Sequence, residues 1–310
     1  MTNRCYRTTS RDPASWRGEP SSPEAEASGL RESPQGAVLY HLVLVRVTFL
    51  GTGTSHGVPM IGCDCDVCRS TDPRDQRFRS SIYVEGDDGG CLLVDTTTDL
   101  RTQALRAGIR RVDAVLYTHA HADHIFGLDE LRRFTMMTKR PVPLYGSRRT
   151  LDHLRRTFGY VFAAGAPTGG GVPNLRLWPI EGACCFGTTA VDIVPIRHGT
   201  WHVLGFRVGG LAYLTDCNAI PETSFERLRD LDVLVLDALR PKPHPTHFSL
   251  GEAIAVAKRI GARQTYFTHI AHELGHAATC ASLPPGLTLA YDGLVLDVPA
   301  GVATTVPPRP

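Results

Sequence analysis

The sequence predicts an α/β protein. Short apolar strands alternate with segments of helical spacing through most of its 310 residues, and polar groups able to bind metal recur just after strands. The densest such group is Thr118-His119-Ala120-His121-Ala122-Asp123-His124. It follows an apolar run, Val112 to Tyr117, that reads as a buried strand. It precedes Ile125 to Phe134, where Ile125, Leu128 and Leu131 share one helical face.

The chain is long enough to bury a full core. A formal net charge of +2 marks neither a nucleic-acid binder nor a membrane-surface protein. Apolar runs never approach the length of a membrane span, and the first residues lack the apolar core of a signal peptide, so a cytoplasmic location is expected. Nine cysteines is an odd count. Three of them crowd into one short loop, which suits metal-bound or reduced thiols better than a disulfide framework.

Residues 1–44, poor in large apolar side chains after a Ser-, Pro-, Glu- and Arg-rich start, are expected to form a disordered leader. Residues 45–300 then form a single domain and 301–310 a flexible tail. Val45 to Leu50 alternates as a strand and enters the glycine-rich turn Gly51 to Ser55. Cys63, Cys65 and Cys68 follow as C-x-C-x-x-C, a spacing that satisfies tetrahedral zinc once a fourth ligand is supplied. The candidate for that ligand is His272. Ser80 to Val84 and Cys91 to Val94 read as a hairpin. Asp95, at the end of the second strand, is placed to orient a ligand histidine. Thr98 or Asp99 caps a helix over Leu100 to Ala107.

Pro141 to Tyr145 reads as a strand and Arg148 to Thr157 as a helix. Residues 158–171, aromatic and then glycine-rich, read equally as a flap over a pocket, a dimer contact or a plain loop. Val191 to Ile196 is a strand before His198, and Leu211 to Thr215 a strand before Asp216. Val233 to Leu236 leads to His244 and His247, after which Ser249 caps a helix through Ala253, Ala257 and Ile260. Thr265 to Phe267 is a strand before His269. Leu287 to Tyr291 and Leu294 to Val298 read as a last hairpin around Asp292-Gly293.

Residues two apart at a strand end face the same way, so His119 and His121 can share one cation. Asp123 and His124 open the following helix and suit a second cation. Because His198, Asp216 and His269 each stand just after a strand, they can gather along the same sheet edge. His244 and His276 receive no role in this reading.

The H-x-H-x-D-H run resembles the signature of the metallo-β-lactamase superfamily over about Val45 to Val298. The resemblance implies an αββα sandwich. It implies His119, His121 and His198 for one metal, Asp123, His124 and His269 for a second, and Asp216 as the bridge. Two divalent metals, Zn or Mn, would hold a hydroxide between them. Catalytic roles fall to Asp123 and to His247, which resembles the histidine that phosphodiesterase members place near the leaving oxygen. The cysteine loop with His272 resembles the PhnP-type cyclic-phosphate phosphodiesterases, in which these four residues bind a structural zinc.

The implied function is hydrolysis of a small cyclic phosphate diester, with a small-molecule substrate, no membrane or nucleic-acid partner, and a homodimer as an open possibility. Two other readings share parts of the pattern: a transfer-RNA 3′-processing endonuclease and a PqqB-type carrier protein.

Overall fold

The computed structural model describes residues 39–163 and 171–305. The leader up to residue 38, residues 164–170 of the aromatic and glycine-rich segment, and the last five residues lie outside the described residues.

One seven-stranded sheet contains β1 (Leu39–Gly51), β2 (Ser81–Glu85), β3 (Cys91–Val94), β4 (Ala114–Leu116), β5 (Val142–Gly146), β6 (Leu175–Pro179) and β14 (Val295–Thr305), in the order β14-β1-β2-β3-β4-β5-β6. The other, also seven-stranded, contains β7 (Cys184–Phe186), β8 (Thr189–His198), β9 (Trp201–Val208), β10 (Leu211–Leu214), β11 (Val233–Asp237), β12 (Gln264–Thr268) and β13 (Leu287–Leu289), in the order β13-β12-β11-β10-β9-β8-β7.

The sheets pack face to face with helices on both outer faces, the expected αββα sandwich. Strand alternation produces the layers. Val45, Val47 and Phe49 of β1 meet Phe206 and Tyr213 of the second sheet in the middle layer. Val115 and Tyr117 point the other way, towards Leu128, Leu131 and Leu154. Ala212 and Leu214 of β10 likewise turn outwards to Ala253 and Ala257 of the helix Leu250–Ile260. The central strands β3, β4 and β10 are buried on both faces, which is why they read as continuous apolar runs.

Topology fixes where the site lies. Strands β3 to β6 are mutually parallel, as are β10 to β13. Strand β8 runs with β10, because each is antiparallel to β9. Ligands of open α/β sheets bind beyond the carboxyl ends of such strands. Asp95, the His119 run, His198, Asp216 and His269 all stand at those ends.

Several expectations are corrected. The first strand begins at Leu39 rather than Val45, because its backbone pairs antiparallel with β14 out to Leu39↔Thr305. That pairing brings residues 39–44 of the expected leader, and residues 301–305 of the expected tail, into the sheet. The last two strands form no hairpin. Strand β13 joins β12 in the second sheet, while β14 crosses to β1 in the first. The crossing is held by Asp292, which accepts from Thr52 Oγ1 (2.8 Å) and from the Phe78 amide (2.7 Å).

The helix after the histidine run is broken. Ala122–Ile125 and Leu131–Thr138 flank a single 3₁₀ turn, Leu128–Glu130. At Gly127 between them, a Cβ would stand 2.0 Å from the Thr97 carbonyl, so only glycine fits. Asp99 precedes the helix Leu100–Arg106, but its carboxylate binds Arg79 instead of capping. The Ser249 cap is present as a full capping box with Glu252.

Candidate metal centre and active site

Seven of the expected donors converge. His119, His121 and His198 bring ligand atoms within 4.8 Å of one another, as do Asp123, His124, Asp216 and His269. His119 Nε2 lies 2.9 Å from His121 Nδ1. Asp216 spans both groups, with Oδ1 3.9 Å from His119 Nε2 and Oδ2 3.2 Å from His124 Nε2 and 3.1 Å from His269 Nδ1.

Backbone shape helps to aim these groups. Asp95, Asp216 and His269 have φ of 63°, 54° and 59°, the left-handed region that costs a side-chain-bearing residue roughly 1–2 kcal/mol. The turn throws each side chain off the end of its strand into the site. Such strain persists only where the surroundings over-determine it.

Fixed hydrogen bonds decide which ring nitrogens face inwards. The Asp95 carboxylate accepts from the Thr118 amide (2.9 Å), from Thr118 Oγ1 (2.8 Å) and from His124 Nδ1 (2.7 Å). With its own proton given to Asp95, Thr118 Oγ1 can only accept from His119 Nδ1, 3.0 Å away. Asp95 therefore orients one histidine of each group and leaves both Nε2 atoms facing inwards. His198 Nδ1 donates to the Thr246 carbonyl (2.8 Å), which frees its Nε2 in the same way.

The cluster fits divalent metal. Burial, and then the charge of His124, hold His119 well below the usual imidazole range. Burial likewise lowers His121 and His198, so all three offer lone pairs at neutral pH. His124 behaves oppositely. Burial opposes its charge, yet Asp216, Asp123 and Asp95 together hold it well above the usual range. Its proton occupies the place where a cation would neutralise those carboxylates. The buried atoms His124 Nε2 and His269 Nδ1 have no hydrogen-bond partner, and both face Asp216.

His247 stands beside these groups, its ring 4.6 Å from those of both His198 and His269. Its Nδ1 lies 2.7 Å from Asp237 Oδ2, a carboxyl fully buried at the end of β11. Burial pushes Asp237 well above the carboxylate range and His247 below the imidazole range, so both are shifted towards their neutral forms. A protonated Asp237 that donates to Nδ1 leaves the hydrogen of the neutral His247 ring on Nε2.

The cysteine loop forms a second, separate group. Cys63, Cys65 and Cys68 place Sγ 3.2, 3.3 and 3.7 Å from His272 Nδ1. Tetrahedral zinc with ordinary Zn–S and Zn–N bonds has S···N edges of about 3.5 Å, so the four donors fit. The Cys68 amide donates to Cys65 Sγ, and chiefly through this bond the Cys65 thiol is lowered to about 6. A buried arginine holds the far side. Arg77 donates to the carbonyls of Ala271 (3.4 Å) and Leu274 (2.8 Å), which bracket His272, and to Asp75 (2.9 Å).

Sequence reasoning missed five residues. Asp237 reads as the last residue of an apolar strand, a position shared by Asp95 and Asp216 that could have marked it. Trp201 packs on the His121 ring at 4.6 Å, and Arg149 covers its other side at 4.2 Å. His244 and Arg240 line a cavity with His247. The Gly51–Ser55 turn takes its glycines from close packing, since a Cβ at Gly51 would stand 2.0 Å from the Arg79 carbonyl. Its Thr54 Oγ1 reaches His269 Nε2 at 3.3 Å.

An αββα sandwich with histidines and aspartates gathered at one sheet edge defines a metal-binding protein of hydrolase architecture. Residues 91–270 match the β-lactamase superfamily domain, and the chain belongs to the metallo-β-lactamase superfamily of hydrolases. Within that superfamily it resembles the PhnP family. The crystal structure of a diphosphatase from that family is 43% identical with a TM-score of 0.78, over 84% of this chain and 100% of that one.

An octanoyltransferase of Porphyromonas gingivalis is 38% identical over 254 residues, 81% of this chain and 51% of that protein. The chain thus spans about half of that relative's length. Shorter stretches relate it to coenzyme PQQ synthesis protein B of Rhodopseudomonas palustris, 31% identical over 36% of this chain and 39% of that one. Ribonuclease Z of Bradyrhizobium diazoefficiens is 30% identical over 52% of this chain and 48% of that protein. Among the described residues no helix is long and apolar enough to cross a membrane.

Proposed function

We propose that the protein is a metal-dependent phosphodiesterase acting on a small cyclic phosphate diester. The observation that carries this reading is the Asp237–His247 pair, which presents an N–H at Nε2 beside the seven-donor cluster. Phosphoester cleavage needs a proton for the departing oxygen, and a positioned imidazole supplies one at neutral pH.

Two divalent metals, zinc or manganese, held by His119, His121, His198, Asp123, His124, His269 and the bridging Asp216, would supply a nucleophile at neutral pH and polarise the phosphoryl oxygens. The chain's own residues do the rest. His247 Nε2–H donates to the oxygen that leaves, while Nδ1 stays bonded to Asp237, so the imidazole cannot rotate as the proton moves. Asp95, through Thr118 and directly, keeps His119 and His124 in the metal-binding tautomer. Trp201 packs against His121 and limits water at that side. Cys63, Cys65, Cys68 and His272 would hold a structural zinc away from the reacting atoms.

A second reading, hydrolysis of a diphosphate linkage, is favoured by the likeness to a PhnP-family diphosphatase. It uses the same cluster and the same proton donor. The cavity beside His247, about 280 Å³, suits a small molecule rather than a folded RNA. The test is turnover by the metal-loaded protein on cyclic ribose phosphates, linear diesters, diphosphates and transfer RNA. Preferential cleavage of cyclic diesters supports the first reading and preferential cleavage of diphosphates the second. Turnover of transfer RNA alone would overturn both.

A further inference from the structure

We propose that Trp201 is a positioning residue for the metal position formed by His119, His121 and His198. Packed against His121 and covered by Arg149, it fixes the His121 ring, whereas hydrogen bonds fix the other histidines of the cluster. The proposal rests on the metal-dependent reading of the seven donors and assigns a residue outside that set to one of its two metal positions.

The observation is an asymmetry among the five histidines of the cluster. Four have the outward nitrogen anchored: His119 Nδ1 by Thr118 Oγ1 (3.0 Å), His124 Nδ1 by Asp95 (2.7 Å), His198 Nδ1 by the Thr246 carbonyl (2.8 Å) and His269 Nε2 by Thr54 Oγ1 (3.3 Å). His121 lacks that anchor. Its Nδ1 faces inwards, 2.9 Å from His119 Nε2, and among the described residues its Nε2 has no hydrogen-bond partner. It is also half-buried, whereas the other four are buried. A half-exposed ring without an outer anchor samples several rotamers, and that freedom is lost when the ring takes up a ligand position.

Trp201 takes the place of the missing bond. Its ring lies 4.6 Å from that of His121, tilted by 40°, and the Arg149 guanidinium lies 4.2 Å over the indole. Aromatic pairs and cation–π contacts both attract beyond the area they bury.

The fold sets the position of the indole. Strands β8 and β9 meet at Gly199-Thr200, where His198 pairs directly with Trp201. The turn is fixed by the Gly199 amide, which donates to Asn218 Oδ1 (2.9 Å). Further along β9, the Leu204 amide donates to the carbonyl of Thr118 (3.1 Å), the residue before the histidine run. One hairpin therefore delivers His198 as a donor and Trp201 as the support of His121, with the two imidazoles 5.0 Å apart. The position formed by Asp123, His124 and His269 has no such dependence, because Asp95 and Thr54 hold its histidines. The two positions are thus inequivalent, and only one of them relies on stacking.

The experiment loads the full chain with cobalt(II), withdraws the metal with increasing chromogenic chelator, and follows tryptophan emission alongside metal content. In wild type, emission recovers as the position beside Trp201 empties. Trp201→Phe keeps the wild-type affinities, since a phenyl ring still packs on His121, but loses most of that recovery, which assigns the signal. Trp201→Ala weakens one of the two cluster metals about 10-fold, as expected when the support of a ligand is removed, and leaves the other and the cysteine group unchanged. Arg149→Gln weakens the same metal by a smaller factor. A general packing role would instead lower the melting temperature without singling out one metal. Affinity lost equally at both positions, or wild-type affinities in Trp201→Ala, overturns the proposal. A wild-type cluster that takes up no metal overturns the metal-dependent reading and the proposal with it.

Discussion

The two metal-binding regions are built by different means. The seven-donor cluster draws on four chain segments whose common feature is that each leaves a strand at the same sheet edge. Its members are mostly buried, and three of its histidines are held by hydrogen bonds that Asp95, Thr118 and Thr246 accept. The cysteine group takes three donors from one short loop and borrows the fourth, His272, from a segment pinned by Arg77. In the first region the scaffold supplies the geometry. In the second, local sequence supplies most of it and one buried side chain supplies the remainder.

The sharpest break between the regions is expected from His247→Ala. It removes a proton donor and no donor of the seven-member cluster, so turnover should fall by roughly 10²–10⁴ while metal content stays at the wild-type value. Loss of metal together with activity would assign His247 to the metal sites instead.

Arg77→Met attacks the other region. It leaves Asp75 buried without its partner, a change that typically costs about 3–5 kcal/mol. Thermal or denaturant unfolding should register the loss. Zinc should leave the cysteine group at lower chelator concentration than metal leaves the seven-donor cluster. Simultaneous release from both would show that the regions are not separate.

Asp292 tests the corner that connects the sheets. Burial raises its carboxyl from 3.8 to about 7, against the hydrogen bonds from Phe78 and Thr52. The folded chain therefore keeps this proton longer than the unfolded chain does. Stability from this group is complete below the unfolded value and is lost as pH rises through the folded one. Between pH 5 and 7 the loss amounts to about 2 kcal/mol, with little further change above pH 8. Asp292→Asn should flatten that slope in denaturant titrations, and an unchanged slope would remove Asp292 as its source.

The smallest effect is expected from Asp95→Asn, which keeps the shape of the side chain but weakens the acceptor for His124 and Thr118. Metal affinity should fall about 10–100-fold, about 1.4–2.7 kcal/mol. Competition with a chromogenic chelator measures it, and the cysteine group should be unaffected.

Much of this was legible before any coordinates. Residues 119–124 declare themselves because three imidazoles and a carboxylate follow an apolar strand, and Cys63, Cys65 and Cys68 because thiols so close have few other uses. The helix Arg148–Thr157 and the Ser249 cap follow from local spacing. Asp237 was marked only by its place at a strand end, and a carboxylate there resembles any turn residue until its partner His247 is known. Trp201 and Arg149 were hidden for the same reason: their roles come from partners on other segments. The expected last hairpin failed because apolar alternation is the same whether two strands pair with each other or with different sheets.

By itself the sequence determined the strands and helices, the donor types and the local spacing of the cysteine loop and the histidine run, all of which depend on neighbours a few residues apart. Tertiary structure alone decided that His119, His198, Asp216 and His269 meet, that β14 closes on β1, that Asp237 locks His247, and that Trp201 reaches His121. Those outcomes depend on which strands lie side by side and in which direction. That choice is settled by burying two sheet faces against each other, a free energy of the whole chain that no short window contains.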